Sequence, residues 1–187
     1  LLPVLYMATL LKGEVDRVSI VDFAANKRSS DDFKNFARTD DSDIYVFYTV
    51  FLCQNTDILA RELIRRSKTD ARFIFTGPQA TYAPEIFLDR PDTFAVRGEP
   101  EFALRDLVRA LRKGSGISAA RGISRAERSG PVHNEPMALL TDLDELPIPD
   151  RTLLDHKPYC NPKLRSLPHT AAYTSRGCFG GCWYCVP

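Results

Sequence analysis

The chain has 187 residues, enough for one domain and part of a second. Its 44% hydrophobic and 26% charged content is ordinary for a globular protein, and a net charge of +1 leaves no electrostatic footprint for nucleic acid or an anionic membrane. No apolar run reaches transmembrane length and no secretory signal pattern stands at Leu1, so the expectation is a cytoplasmic protein with no membrane partner.

Residues 1–115 alternate between helical and strand-like patterns. The spacing of Val4, Leu5, Ala8 and Leu11 predicts a helix over 3–12, stopped by Gly13. Residues 18–22, Val-Ser-Ile-Val-Asp, read as a short strand ending on an acid. Ser30 is expected to cap a helix through Arg38, with Asp31 and Asp32 in the first turn, where the helix dipole favours them. The apolar run at 44–49 reads as a strand in a sheet covered on both faces. Asn55 or Thr56 is expected to cap a helix to Lys68 whose apolar positions are Ile58, Leu59, Leu63 and Ile64. A strand at 72–76 runs straight into Gly77-Pro-Gln-Ala-Thr81, and a short helix at 83–88 leads to a strand at 93–96. Arg97-Gly-Glu99 opens a helix to Arg112, buried through Phe102, Leu104, Leu107, Val108 and Leu111. This alternation predicts an α/β domain with a parallel sheet and helices on both faces.

Residues 114–137 are rich in Gly, Ser, Arg and Pro, and 122–124 with 131–133 read as a small hairpin. Residues 142–150 form a rigid linker, because Pro147 and Pro149 cannot continue a helix. The organisation is thus a first domain over 1–115, a hairpin and linker over 116–150, and the start of a second domain over 151–187. An open α/β domain normally begins on a strand, whereas this chain begins on a helix and ends two residues past Cys185. The expectation is a piece of a longer protein, without the first strand of its sheet.

In open α/β sheets ligands bind beyond the carboxyl ends of the strands. Those ends are Asp22, Thr49-Val50, 77–81 and 97–99. Gly77 lets backbone approach a ligand, and Gln79 and Thr81 offer hydrogen bonds to amides or phosphate. Taken alone, 77–81 reads equally as a simple strand-to-helix turn, and 97–99 as a structural helix start. Asp22 is open between a strand-end cap and a cofactor contact.

Three of the five cysteines, Cys178, Cys182 and Cys185, stand in a C-x3-C-x2-C array beside Gly177, Gly180 and Gly181. Thiolates at this spacing converge on one soft metal centre, and the glycines let backbone wrap it closely. Three is one short of the four that close an iron–sulfur cluster, which leaves one iron free for another ligand. The rival is structural zinc with His169 or Cys160 as fourth ligand, but such sites favour two paired C-x2-C units and only one is present. A disulfide framework fits poorly with an odd cysteine count. Cys53 reads as a half-buried thiol near a strand end.

Ser175-Arg-Gly-Cys178 with Cys182 and Cys185 resembles the cluster loop of radical S-adenosylmethionine enzymes, and Tyr184 supplies the aromatic that usually precedes the third cysteine. Thr76-Gly-Pro-Gln-Ala-Thr81-Tyr-Ala-Pro-Glu85, and Val96-Arg-Gly-Glu99 followed by Glu101, resemble the cobalamin-binding-type domain that precedes the loop in one branch of that family. The run 142–150 is similar to the linker of the same proteins. The sequence departs from the pattern at Phe179, where proline is frequent, and it has no Asp-x-His-x-x-Gly motif to offer a histidine to cobalt; Asp155-His156 does not fit the spacing.

The resemblance implies a Rossmann-like, flavodoxin-like sheet followed by the start of a radical enzyme barrel. It implies that Cys178, Cys182 and Cys185 hold three irons of a 4Fe–4S cluster while S-adenosylmethionine chelates the fourth. An electron then generates a deoxyadenosyl radical, for methyl transfer or a related carbon-centred rearrangement. Cobalamin is the second implied cofactor, contacted by Thr49, Val50, Phe51, Gly77, Pro78, Gln79, Ala80 and Thr81. The implied partners are a small-molecule substrate and an electron donor protein such as a flavodoxin or ferredoxin. A non-catalytic corrinoid- or nucleotide-binding module and a zinc-stabilised α/β domain are the alternatives from other functional classes.

Overall fold

The computed structural model describes residues 2–155, 157–159, 170–183 and 185. Three strands, β1 (Ile44–Tyr48), β2 (Arg72–Thr76) and β3 (Thr93–Val96), lie parallel in chain order. The hairpin β4 (Ile123–Glu127) and β5 (Gly130–His133) adds two antiparallel strands outside β3. The result is one mixed sheet of order β1-β2-β3-β4-β5. The hairpin expected from the sequence is present, and it satisfies the open edge of β3 that would otherwise leave backbone groups unpaired.

Alternate residues of each strand serve opposite faces. Ile74, Phe94, Val96 and Ile123 form a core with Met7 and Leu11 of α1 (Leu2–Leu11) and Leu104, Leu107 and Val108 of α5 (Pro100–Lys113). Phe73, Phe75 and Ala95 form the other with Ala37 of α2 (Ser30–Thr39), Ile64 of α3 (Gln54–Ser67), Ala80 of the short helix α4 (Pro78–Tyr82) and Phe87 of the 3-10 turn Pro84–Phe87. Phe75 is stacked between Phe47 and Phe87, with centroids 4.9 and 4.3 Å away. Helices therefore cover both faces, as the α/β pattern requires. None of the described helices is long and apolar enough to cross a membrane.

The segment 18–22 is not a strand: among the described residues it has no ladder partner. Asp22 instead turns the chain, its carboxylate accepting from the Ala25 amide at 2.9 Å and its carbonyl from the Asn26 side chain at 2.7 Å. It also accepts from the Tyr159 hydroxyl at 2.8 Å, so Asp22 caps a turn and anchors the later chain. Among the described residues β1 is consequently an edge strand, and Val46 and Tyr48 are each 38% exposed despite the continuous apolar run.

Two caps also differ from expectation. Ser29, not Ser30, caps α2 in a reciprocal box: its hydroxyl accepts from the Asp32 amide, and the Asp32 carboxylate accepts from the Ser29 amide. Ser29→Ala is expected to cost about 1 kcal/mol, visible as a lower urea midpoint with unchanged slope. Neither Asn55 nor Thr56 caps α3, because the 3-10 turn Phe51–Cys53 feeds directly into the helix at Gln54. From α3, Arg65 reaches Asp92 through two hydrogen bonds of 2.7 and 2.6 Å, and Arg61 reaches the Phe87 carbonyl at 2.6 Å. These buried guanidinium groups pin the loop that delivers β3. The linker ends against α1, where Asp150 pairs with Lys12 at 2.5 Å and its amide donates to the Thr9 hydroxyl at 2.8 Å.

Candidate functional site at the carboxyl edge of the sheet

The carboxyl ends of β1 and β2 are stitched together by backbone bonds. Thr49 donates its amide to the Thr76 carbonyl at 2.7 Å and accepts at its own carbonyl from the Gln79 amide at 3.2 Å. Gly77 makes this approach possible. Its φ of +92° is foreign to side-chain-bearing residues, and a Cβ there would lie 2.9 Å from the Thr49 carbonyl oxygen.

The expected contact residues divide into a rim and a support. Val50, Phe51, Pro78 and Gln79 reach solvent at the edge, and Phe51 is 70% exposed. Leu52 and Tyr82 extend this apolar rim at 87% and 57% exposure. Thr49 and Ala80 are fully buried beneath it. The Thr49 hydroxyl donates to Asp57 at 2.8 Å, while burial pushes the Asp57 carboxyl up against the lowering effect of that bond. Thr81 holds the turn by donating to the Gly77 carbonyl and accepting from the Gly98 amide, both at 3.0 Å. Thr49, Ala80 and Thr81 thus shape the edge, leaving Val50, Phe51, Pro78 and Gln79 at its solvent-facing rim. Two buried polar atoms in these elements, Thr76 Oγ1 and Gln54 Oε1, have no hydrogen-bond partner among the described residues.

The cysteine loop lies in an irregular segment. Cys178 and Cys182 flank Gly180, their sulfurs 3.3 and 3.7 Å from where a Cβ would sit, and the Gly180 amide donates to the Cys178 sulfur at 3.3 Å. The Cys185 amide donates to the Cys182 carbonyl at 3.1 Å. All three thiols are exposed. Among the described residues no three ligand side chains stand together ready for a metal, so the structure brings two of the thiols near one another and does not gather the third. Thiolates repel, and metal binding and loop closure are coupled. Cys160, His156, His169 and Tyr184 lie outside the described residues. Cys53 is exposed rather than half-buried.

The sequence reading missed the connection between edge and loop. Arg176, two residues before Cys178, forms a forked pair with Glu101 at 2.5 and 3.2 Å and approaches Glu99 at 3.6 Å. Its guanidinium also sits 5.5 Å from the Tyr6 ring centre, and Tyr6 stacks on Tyr173 at 6.3 Å. Burial, then the charges of Tyr173 and Glu101, push the Tyr48 phenol up. Tyr48 in turn lies 3.3 Å from the Gly77 Cβ position. Glu99, expected to complement the helix dipole, spends its carboxylate on the Leu140 amide at 2.8 Å as well as on Arg176. The only signal in the sequence was charge: two acids at a helix start and one arginine 75 residues away.

One further constellation lacks the means for catalysis. Ser124 Oγ lies 2.8 Å from His133 Nδ1, and His133 Nε2 lies 3.3 Å from Glu85. Ser124 is fully buried within the sheet, so no substrate reaches it.

No protein-family model matches the chain. The fold is shared with enzymes that combine cobalamin with S-adenosylmethionine radical chemistry. The cobalamin-dependent S-adenosylmethionine radical enzyme OxsB, solved with aqua-cobalamin and S-adenosylmethionine bound, superposes with a TM-score of 0.62 at 23% identity over 74% of this chain. The radical S-adenosylmethionine methyltransferase TsrM of Kitasatospora setae, solved with cobalamin and a [4Fe-4S] cluster, does so with a TM-score of 0.59 at 16% identity over 81%. In sequence, the uncharacterised methyltransferase PH0819 of Pyrococcus horikoshii is 30% identical over 183 residues, 96% of this chain. The chain spans 39% of that relative and 20% and 29% of the two solved chains.

Proposed function

We propose that this chain carries the corrin-binding α/β domain and the cluster loop of a cobalamin-dependent radical S-adenosylmethionine methyltransferase. The observation that carries the reading is the forked pairing of Arg176 with Glu101, which ties the segment just before the C-x3-C-x2-C loop to the helix that follows β3. The resemblance of both motifs, the shared fold and the methyltransferase relative support it.

In this reading Cys178, Cys182 and Cys185 hold a 4Fe–4S cluster with one iron left to S-adenosylmethionine. Val50, Phe51, Pro78 and Gln79 bear on cobalamin, and Gly77 keeps the edge open. The cluster supplies single electrons, delivered by a donor such as a flavodoxin or ferredoxin, and cobalamin supplies a transferable methyl group. The protein's part is to hold both groups on one sheltered edge and to present Gln79 to polar amides without the cost of a buried charge.

Anaerobic reconstitution of the intact gene product that contains this chain tests the reading. Iron and sulfide uptake with iron–sulfur absorption, and binding of hydroxocobalamin, are the expected results. Stoichiometric zinc without iron–sulfur absorption would overturn it. With no histidine motif for cobalt, and with the described His133 engaged by Ser124 and Glu85, electron paramagnetic resonance of the Co(II) state should show no protein nitrogen ligand.

A further inference from the structure

Glu101 sits in the first turn of α5 and is only 3% exposed. A carboxylate withdrawn from water is costly unless paired. Its partner, Arg176, comes from 75 residues further along the chain and meets both carboxylate oxygens. A forked contact of this kind fixes direction as well as distance, which a lysine's point charge does not. The Tyr6 ring supports the guanidinium, and Glu99 lies beside it while accepting from the Leu140 amide. The same pair of acids therefore holds the approach to the linker and the approach to the cysteine loop. Between Arg176 and Cys178 stands a single residue, Gly177, with φ +84°. The anchor's position therefore passes to the first thiol through one sharp turn.

We propose that Arg176 is a positioning residue: clamped by Glu101, it fixes the Cys178 loop relative to the carboxyl edge of the sheet. The role rests on the functional reading above. The clamp residues lie outside the proposed set of three thiolates, and the Glu101 carboxylate is already engaged by Arg176. They set how tightly the loop closes and where it faces.

The test uses Glu101→Gln, Arg176→Lys and the neutral pair Glu101→Gln/Arg176→Gln, which leaves no buried carboxylate at position 101. Each is made in the intact gene product and reconstituted anaerobically. Iron and sulfide content should match the wild type. Loss of iron to a chelator should be about tenfold faster or more, the scale on which groups outside the ligand set act at metal sites. Amide exchange over 174–183 in the metal-free protein should rise in step, while exchange in β2 and α5 stays unchanged. Tyr6→Ala should fall in between. Wild-type chelator rates and wild-type exchange in the neutral pair would overturn the proposal, as would equal loosening throughout the domain. Failure of the functional reading is a separate result, because there the wild type itself assembles no cluster.

Discussion

Replacing Cys182 by alanine is expected to abolish cluster assembly. Cys182 is the middle thiol, 3.7 Å from the Gly180 Cβ position that Cys178 also approaches, and its carbonyl accepts from the Cys185 amide. The substitution removes one of the three proposed thiolates while leaving that backbone bond in place. A cluster held by three thiolates has no spare protein ligand to substitute. The deficit should therefore exceed the roughly 10–100-fold seen when groups outside the ligand set are changed, with iron and sulfide near background after reconstitution. Cys178→Ala and Cys185→Ala should behave alike, and Cys53→Ala and Cys160→Ala should retain the cluster. Retention of iron–sulfur absorption in any one of the three loop variants would remove that cysteine from the ligand set.

Gly77→Val should cost both stability and cobalamin binding. The backbone at Gly77 has φ +92° and ψ −175°, a region essentially reserved for glycine, where another residue carries strain on the order of 1–3 kcal/mol. The Cβ would also come 2.9 Å from the Thr49 carbonyl oxygen and 3.2 Å from its nitrogen. Neither is a flexible side-chain tip, so β1 and β2 must part or the turn must rotate. At about 2–4 °C per kcal/mol for a chain of this size, Tm should fall by several degrees. The Gln79–Thr49 bond should break with it, and hydroxocobalamin titration should show affinity reduced beyond measurement. An unaltered melting curve would contradict the strain argument. A lower Tm with wild-type cobalamin affinity would reduce the edge to a scaffold.

The elements that were legible in the sequence are those whose stability is local or periodic. The helix at the N-terminus, the strands at 44–49, 72–76 and 93–96, and the long helix before Gly114 follow from side chains repeating every two or 3.6 residues. The cysteine array was legible because three thiols in eight positions have no packing reason. The segment 18–22 shows the limit. Its apolar residues suit a strand, but a strand exists only where a neighbour completes its hydrogen bonds, and here Asp22 closes a turn instead. The α2 cap was missed by a single position because a reciprocal pair of bonds chose Ser29, and α3 starts without any side-chain cap because a 3-10 turn leads into it.

The sequence by itself determined most element types and the α/β class, and it singled out the cysteine array as the candidate metal site, since each depends on chemistry carried within a short stretch of chain. Only the tertiary structure decided that the hairpin extends the sheet, that Thr49 and Ala80 support the edge from below, and that Glu101 meets Arg176 beside the cysteine loop. Those outcomes depend on which distant groups share a buried space. A carboxylate enclosed at the start of α5 must find a cation, and the fold places the one preceding Cys178 within reach.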